Sequence, residues 1–202
     1  MTMSDVSRRT SEIERSTAET TISLRLALDG SGGGTRSTGI GFFDHMLDLL
    51  ARHGRLDLTV DAHGDLQTGG HHTVEDVGIC LGQALDRALG DRAGIYRYGQ
   101  ATVPMDEARA SCAIDISGRG LLVFDGSRLP AGTIGEFDYE LAEEFFRAVA
   151  ANARLTLHLT IEAGSNAHHM IEAAFKACAR ALRAAVALDP SEHGIPSTKG
   201  TL

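Results

Sequence analysis

Tryptophan is absent from this 202-residue chain, and aromatic residues make up only 5% of it. A surface for stacking bases or sugar rings therefore has little to build on. Cysteine is scarce as well. Cys80, Cys112 and Cys178 are odd in number, far apart and set among apolar neighbours. That excludes a disulfide framework or a CxxC zinc site and leaves reduced core thiols, as in a cytosolic protein. Positive charge is also short: 19 Lys and Arg against 27 Asp and Glu give a formal net charge of −8. The balance argues against nonspecific nucleic-acid binding, but a few local cations can still hold a small anionic ligand. No apolar run approaches the roughly 20 residues of a membrane helix, and the first residues (MTMSDVSRRTSEIER) lack a signal-peptide core. The expectation is a cytoplasmic protein with neither nucleic-acid nor membrane partners. A hydrophobic fraction of 43% is ordinary for a globular chain, and the length suits one mid-sized domain or two fused halves.

What is present is histidine in pairs. His71-His72-Thr73-Val74-Glu75-Asp76 and His168-His169-Met170-Ile171-Glu172-Ala173 each place two histidines ahead of a glutamate and open an apolar, alanine-rich stretch. Four of the nine histidines lie in these blocks. A His and a Glu spaced i, i+3 or i, i+4 on a helix share a face and can bind one ion. The neighbouring His points about a third of a turn away, so it more easily reaches a second ion. Two blocks in matching contexts predict a two-metal site drawn from both halves of the chain.

The blocks belong to an internal repeat. A shift of 97 lays His71 on His168, Glu75 on Glu172, Leu85 on Leu182 and Ala88 on Ala185. Upstream, a shift of 99 lays the alternating segment Arg55–Val60 on Arg154–Leu159, and His45 on Glu144. If His45 is a ligand, position 144 is its counterpart. In each half the patterning predicts two strands, a helix, a strand and a long helix. The first half has strands near 21–28, 35–40 and 55–62 and helices near 43–53 and 72–89. The second has strands near 109–117, 120–125 and 153–162 and helices near 138–151 and 168–187; segment 95–103 adds a candidate strand between the halves. Gly30–Gly34 reads as a hairpin turn, since no Lys-Ser/Thr follows to make it a phosphate cradle. The fold class expected is α+β, with duplicated β-β-α-β-α halves and helices packed on one face of the sheet. The expected divisions are 1–94, 95–193 and a tail, 194–202, whose Ser, Thr and Lys can read an anion.

Phe42-Phe43-Asp44-His45-Met46-Leu47, the block at His71, Ser165-Asn166-Ala167-His168-His169 and Pro196-Ser197-Thr198-Lys199-Gly200 together resemble the imidazoleglycerol-phosphate dehydratase family. The likeness runs from about Ile13 to Leu202. It implies a ribosomal protein S5 domain 2-like duplicated fold and, given the length, a monofunctional form. It also implies a lyase of histidine biosynthesis that dehydrates D-erythro-imidazole glycerol phosphate to imidazole acetol phosphate. Two divalent ions per site, preferentially Mn²⁺, and a homo-oligomer of 24 subunits with active sites between subunits follow from the same resemblance. The chemistry gives two ions a purpose. The carbon that loses its proton has no carbonyl beside it, so the imidazole ring is the electron sink, and each ring nitrogen can meet one Lewis acid.

Carried over residue by residue, the resemblance assigns His45, His72, Glu75 and His169 to one ion. His71, His168 and Glu172 go to the other, completed at position 144. There this chain departs from the family's usual histidine: Glu144 either ligates as a carboxylate or leaves the place to water. The resemblance gives Glu19, on the N-terminal segment before the first strand, acid–base work, and Lys176 a place beside substrate. Asp106 is a weaker candidate for orienting a ligand or a hydroxyl. Arg97, Arg119, Ser197 and Lys199, with His53 beside them, match phosphate-binding positions, suited to bidentate guanidinium contacts. Two other readings stay open: a dinuclear metallohydrolase, and a non-catalytic oligomer clamped by metal.

Overall fold

The computed structural model describes residues 9–202; residues 1–8, the start of the segment read for a signal peptide and of the first half, lie outside it. Alternation makes the strands. In β2 (Thr20–Ala27) Ile22, Leu24 and Leu26 point inward and are buried while Thr21 and Arg25 face out. The first sheet runs β1 (Thr10–Ser16), β2, β4 (Asp57–Gly64), β3 (Arg36–Ser37), antiparallel except for the last pair. The second repeats that order and polarity with β5 (Tyr98–Met105), β6 (Ala108–Asp115), β10 (Thr156–Ala163) and β7 (Leu121–Asp125). Helices α1 (Gly41–Gly54) and α2 (His71–Leu89) belong to the first half, α3 (Leu141–Ala153) and α4 (Ala167–Val186) to the second.

The expected β-β-α-β-α unit is present twice, as β2-β3-α1-β4-α2 and β6-β7-α3-β10-α4. Each half also carries a leading edge strand. β5 fulfils the candidate segment near 95–103. β1 was not expected, because Glu12, Glu14 and Arg15 hide its alternation and Ile13 is its one buried apolar residue. Charge of this kind is how an edge strand avoids pairing with strangers. A two-stranded ribbon, β8 (Thr133–Ile134) with β9 (Phe137–Asp138), is inserted before α3. Gly30–Gly34 is not a hairpin turn. It leads from β2 to the strand on the far side of β4, folded around Asp57, whose Oδ1 accepts the N–H groups of Ser31 and Gly33, both at 2.8 Å.

The helices pair crosswise. The long helix of each half packs on its own sheet, α2 on β1 and β2, α4 on β5 and β6; α2 then packs on α3, and α4 on α1. Small residues permit this closeness: a Cβ on Gly82 would sit 2.6 Å from Asn152 Cβ and 2.8 Å from Val149 O, and one on Gly99 only 2.0 Å from Ala181 O. Where the helices converge, Phe43, Phe137, Phe145, Phe146 and Phe175 are all buried, with Phe145 stacked on Phe175 at 5.3 Å. Each such ring contributes roughly 2–3 kcal/mol by burial, so five of the seven phenylalanines go to one junction. Both short helices stop at an arginine in the left-handed region, Arg55 (φ 54°) and Arg154 (φ 55°), 99 residues apart as the repeat requires. The next residues, Leu56 and Leu155, donate back to Ala51 and Ala150 and satisfy the helix ends.

Candidate metal centre

Crosswise pairing sets the start of α1 beside the start of α4. Asp44 holds the first by accepting from the N–H (2.9 Å) and hydroxyl (2.7 Å) of Thr38. Asn166 caps the second, its side-chain oxygen accepting the N–H groups of His168 (2.9 Å) and His169 (3.4 Å). At this junction His45, His168 and Glu172 each offer a ligand atom, all within 4.8 Å of one another. His168 Nε2 is 3.3 Å from Glu172 Oε2, and Lys176 Nζ is 2.6 Å from Glu172 Oε1. Phe42 meets the His168 ring edge-on at 5.0 Å. Burial pushes the Glu172 carboxyl up, but the Lys176 hydrogen bond and the charges of Lys176, His45 and His168 outweigh it, so the net shift is downward. Two nitrogens and an anionic oxygen that converge in this way suit a divalent cation.

The grouping differs from the one expected. His45 joins His168 and Glu172, the set assigned to the other ion, and not His72, Glu75 and His169. The physical reason is the crosswise packing: α1 lies against α4, and α2 lies elsewhere, against α3. Among the described residues this is the one cluster of three donors. The repeat-equivalent trio, Glu144 with His71 and Glu75, is looser. His71 Nε2 is 3.7 Å from Glu75 Oε2, while Glu144 Oε2 turns to Arg147 Nε at 3.6 Å.

The second histidine of each block stands apart and faces a carboxylate at a hairpin turn. His72 Nε2 is 3.7 Å from Glu19 Oε1, and His169 Nε2 is 3.7 Å from Asp106 Oδ2. Glu19 is on the β1–β2 turn, not ahead of the first strand, because β1 precedes it. Two carboxylates that the sequence reading passed over hold the opposite ring nitrogens: Asp65 for His72 at 3.1 Å and Glu107 for His169 at 2.8 Å. These bonds raise both imidazole pKa values and lower both carboxyl values, Glu107 to about 2. Glu107 lies 62 residues from its histidine, a separation that only the β5–β6 turn closes.

The residues expected to read an anion gather at the other end of α4. Arg97 donates twice to Asp115 (2.7 and 3.2 Å) and once to Pro196 O (2.8 Å), tying the tail to β6. Arg119 follows Gly118 (φ 74°), whose Cβ, if present, would sit 2.4 Å from Leu202 C. Ser197 Oγ accepts from the Lys199 N–H at 3.2 Å. Arg97 N–H is bonded to Ala185 O. Ala185 is 17 residues beyond His168, which at 1.5 Å each is ~25 Å along the helix. His53 belongs to neither end: it ends α1, where burial first, and then Lys176, Arg180 and Arg52, lower its pKa.

A sequence model of imidazoleglycerol-phosphate dehydratase matches residues 38–182. The chain belongs to that family. A relative from Moorella thermoacetica named as this dehydratase is 60% identical over 190 residues, 94% of this chain and 96% of its own. One from Jannaschia sp. is 57% identical over 195 residues, 96% and 100% of the two chains. The crystal structure of the Staphylococcus aureus dehydratase matches with a TM-score of 0.81 at 42% identity, over 89% of this chain and 99% of that one. The Pyrococcus furiosus dehydratase, solved in complex with (S)-C348, gives 0.81 at 35% identity, over 94% and 100%. Membership settles the class: the chain is an enzyme, a lyase for imidazoleglycerol-phosphate dehydration in histidine biosynthesis, and not a hydrolase or an inert clamp. No described helix is long and apolar enough to cross a membrane.

Proposed function

We propose that the enzyme converts D-erythro-imidazole glycerol phosphate to imidazole acetol phosphate at a dinuclear metal site, built between copies of the chain in a large cytoplasmic homo-oligomer. The observation that carries this reading is the His45–His168–Glu172 convergence, whose donor chemistry fits a divalent cation and which has a repeat-equivalent at Glu144, His71 and Glu75. His72 and His169 join these half-sites from neighbouring copies. The preference for Mn²⁺ and the number of 24 subunits follow the family resemblance. His45, His168 and Glu172 and their repeat equivalents would hold the two ions, which would supply Lewis-acid stabilisation of the charge that builds on the imidazole ring.

The remaining work falls to side chains. Glu19 Oε1, near the outward edge of His72, takes or returns the substrate's carbon-bound proton. Lys176 keeps Glu172 ionised and aimed, and its ammonium steadies the departing hydroxyl. His53, at the end of α1 on one copy, reaches the phosphate that Arg97, Arg119, Ser197 and Lys199 of another copy hold. The ~25 Å separating them from His168 on one chain exceeds the length of so small a substrate, which is why the phosphate group and the metal half-site come from different copies. Metal-stripped protein with and without added Mn²⁺ tests the reading. Enol product is expected only with metal. No turnover under either condition, in an intact assembly, refutes it.

A further inference from the structure

His72 and His169 are gripped alike, although the repeat does not explain it. His72 Nδ1 lies 3.1 Å from both carboxylate oxygens of Asp65, and His169 Nδ1 lies 2.8 Å from Glu107 Oε2. Under the 99-residue shift Asp65 falls on Gly164, which has no side chain. The second half reaches the same arrangement from a different loop. Both carboxylates are themselves fixed. Asp65 Oδ2 accepts from Thr68 Oγ1 at 3.0 Å, and its backbone N–H donates to Glu19 O at 3.1 Å. Glu107 Oε1 accepts the N–H groups of Ser165 (3.1 Å) and Asn166 (2.8 Å), at the mouth of α4.

An ionised carboxylate only accepts, so the imidazole nitrogen facing it carries the proton. In the neutral ring the other nitrogen then keeps its lone pair. We propose that Asp65 and Glu107 are positioning residues that lock His72 and His169 as Nδ1–H tautomers, presenting the lone pair of each Nε2 to a divalent cation. The cation half of this statement rests on the metal reading above; the tautomer half does not. Two unrelated carboxylates doing one job would hold the His72 and His169 rings in orientation within a single chain. It also gives the β5–β6 turn a direct hold on the second half's ligand.

The test uses Asp65→Asn and Glu107→Gln, each close to isosteric. An amide can donate to Nδ1 and drive the proton to Nε2, which blocks ligation there. Solid-state ¹⁵N spectra of histidine-labelled, metal-free protein at about pH 9, where imidazoles are neutral, are expected to show Nδ1–H for both residues. Each variant should lose that signature at its own histidine alone; His72→Gln and His169→Gln supply the assignments. Mn²⁺ titration should show affinity about 10–100-fold weaker in each variant, with circular dichroism and assembly size unchanged. Nε2–H rings in the wild type, or variants that bind Mn²⁺ within about twofold of it, overturn the inference. A wild type that binds no Mn²⁺ overturns the metal reading and the cation half with it.

Discussion

Asp76 offers the sharpest test of how the first half is held together. It is 7% exposed and accepts from Arg15 Nη2 at 2.8 Å and Thr20 Oγ1 at 2.5 Å, pinning both strands of the β1–β2 hairpin to α2. Nothing nearby can replace it, since Arg15 Nε and Thr73 Oγ1 are already buried without partners. Breaking a fully buried pair costs about 3–5 kcal/mol. Arg15 is 33% exposed, so water takes part of the load and we expect about 2–3 kcal/mol for Asp76→Ala. At roughly 2–4 °C per kcal/mol for a chain of this length, melting should fall by about 4–12 °C. Asp76→Asn, which can keep the Thr20 bond, should lose about half of that. Denaturation of metal-free protein at one fixed concentration measures it, because assembly adds to apparent stability. Glu19 sits in the hairpin turn just before Thr20, so kcat should fall more than KM rises. A loss within the ~0.5 kcal/mol of an ordinary surface change would refute the reasoning.

Two further outcomes follow from geometry and charge. Gly99→Ala drives a Cβ to 2.0 Å from Ala181 O; backbone cannot step aside, so a loss of about 1–3 kcal/mol or more is expected, whereas Gly41→Ala, with nothing within 4 Å, should cost nothing. Equal melting temperatures for the two variants would contradict the close seating of α4 on β5. In metal-free protein, Glu107 is lowered from 4.5 to about 2 by the His169 bond first and then by backbone N–H groups. Its contribution is therefore complete above about pH 4.5 and lost as pH falls toward 2. The raised His169 value has the opposite sign: that stability is present below 6.5 and lost as pH rises through the higher folded value. Melting curves against pH for wild type and Glu107→Gln should diverge between these limits and converge at the acid end; parallel curves throughout would defeat the assignment.

Crosswise pairing gives the duplication a chemical consequence. Had each short helix packed on the long helix of its own half, His45 would have met the His71 block, and each half would hold a self-contained site. Instead His45 of the first half meets His168 and Glu172 of the second. A change at either helix contact therefore reaches donors from both halves, and the Gly78 and Gly82 seams on α2 serve the site as well as the core.

The repeat, the β-β-α-β-α unit, the family and the identity of the histidine pairs are legible in the chain alone, because local periodicity and motif spacing are properties of short stretches. Burial patterning exposed β2, β4, β6 and β10 plainly, and it failed at β1, where an edge strand's charges mask alternation. Lys176 beside Glu172 was legible too, being one helical turn away. Which donors share a site depends on packing in three dimensions, since helical spacing says which face a residue takes and not which helix lies opposite. That packing alone brought Glu107 to His169 and Asp76 to Arg15, and it alone put Arg97 and the tail a helix-length from the His45–His168–Glu172 cluster. Contacts between residues tens of positions apart are set by how sheets and helices stack, and no local pattern carries that information.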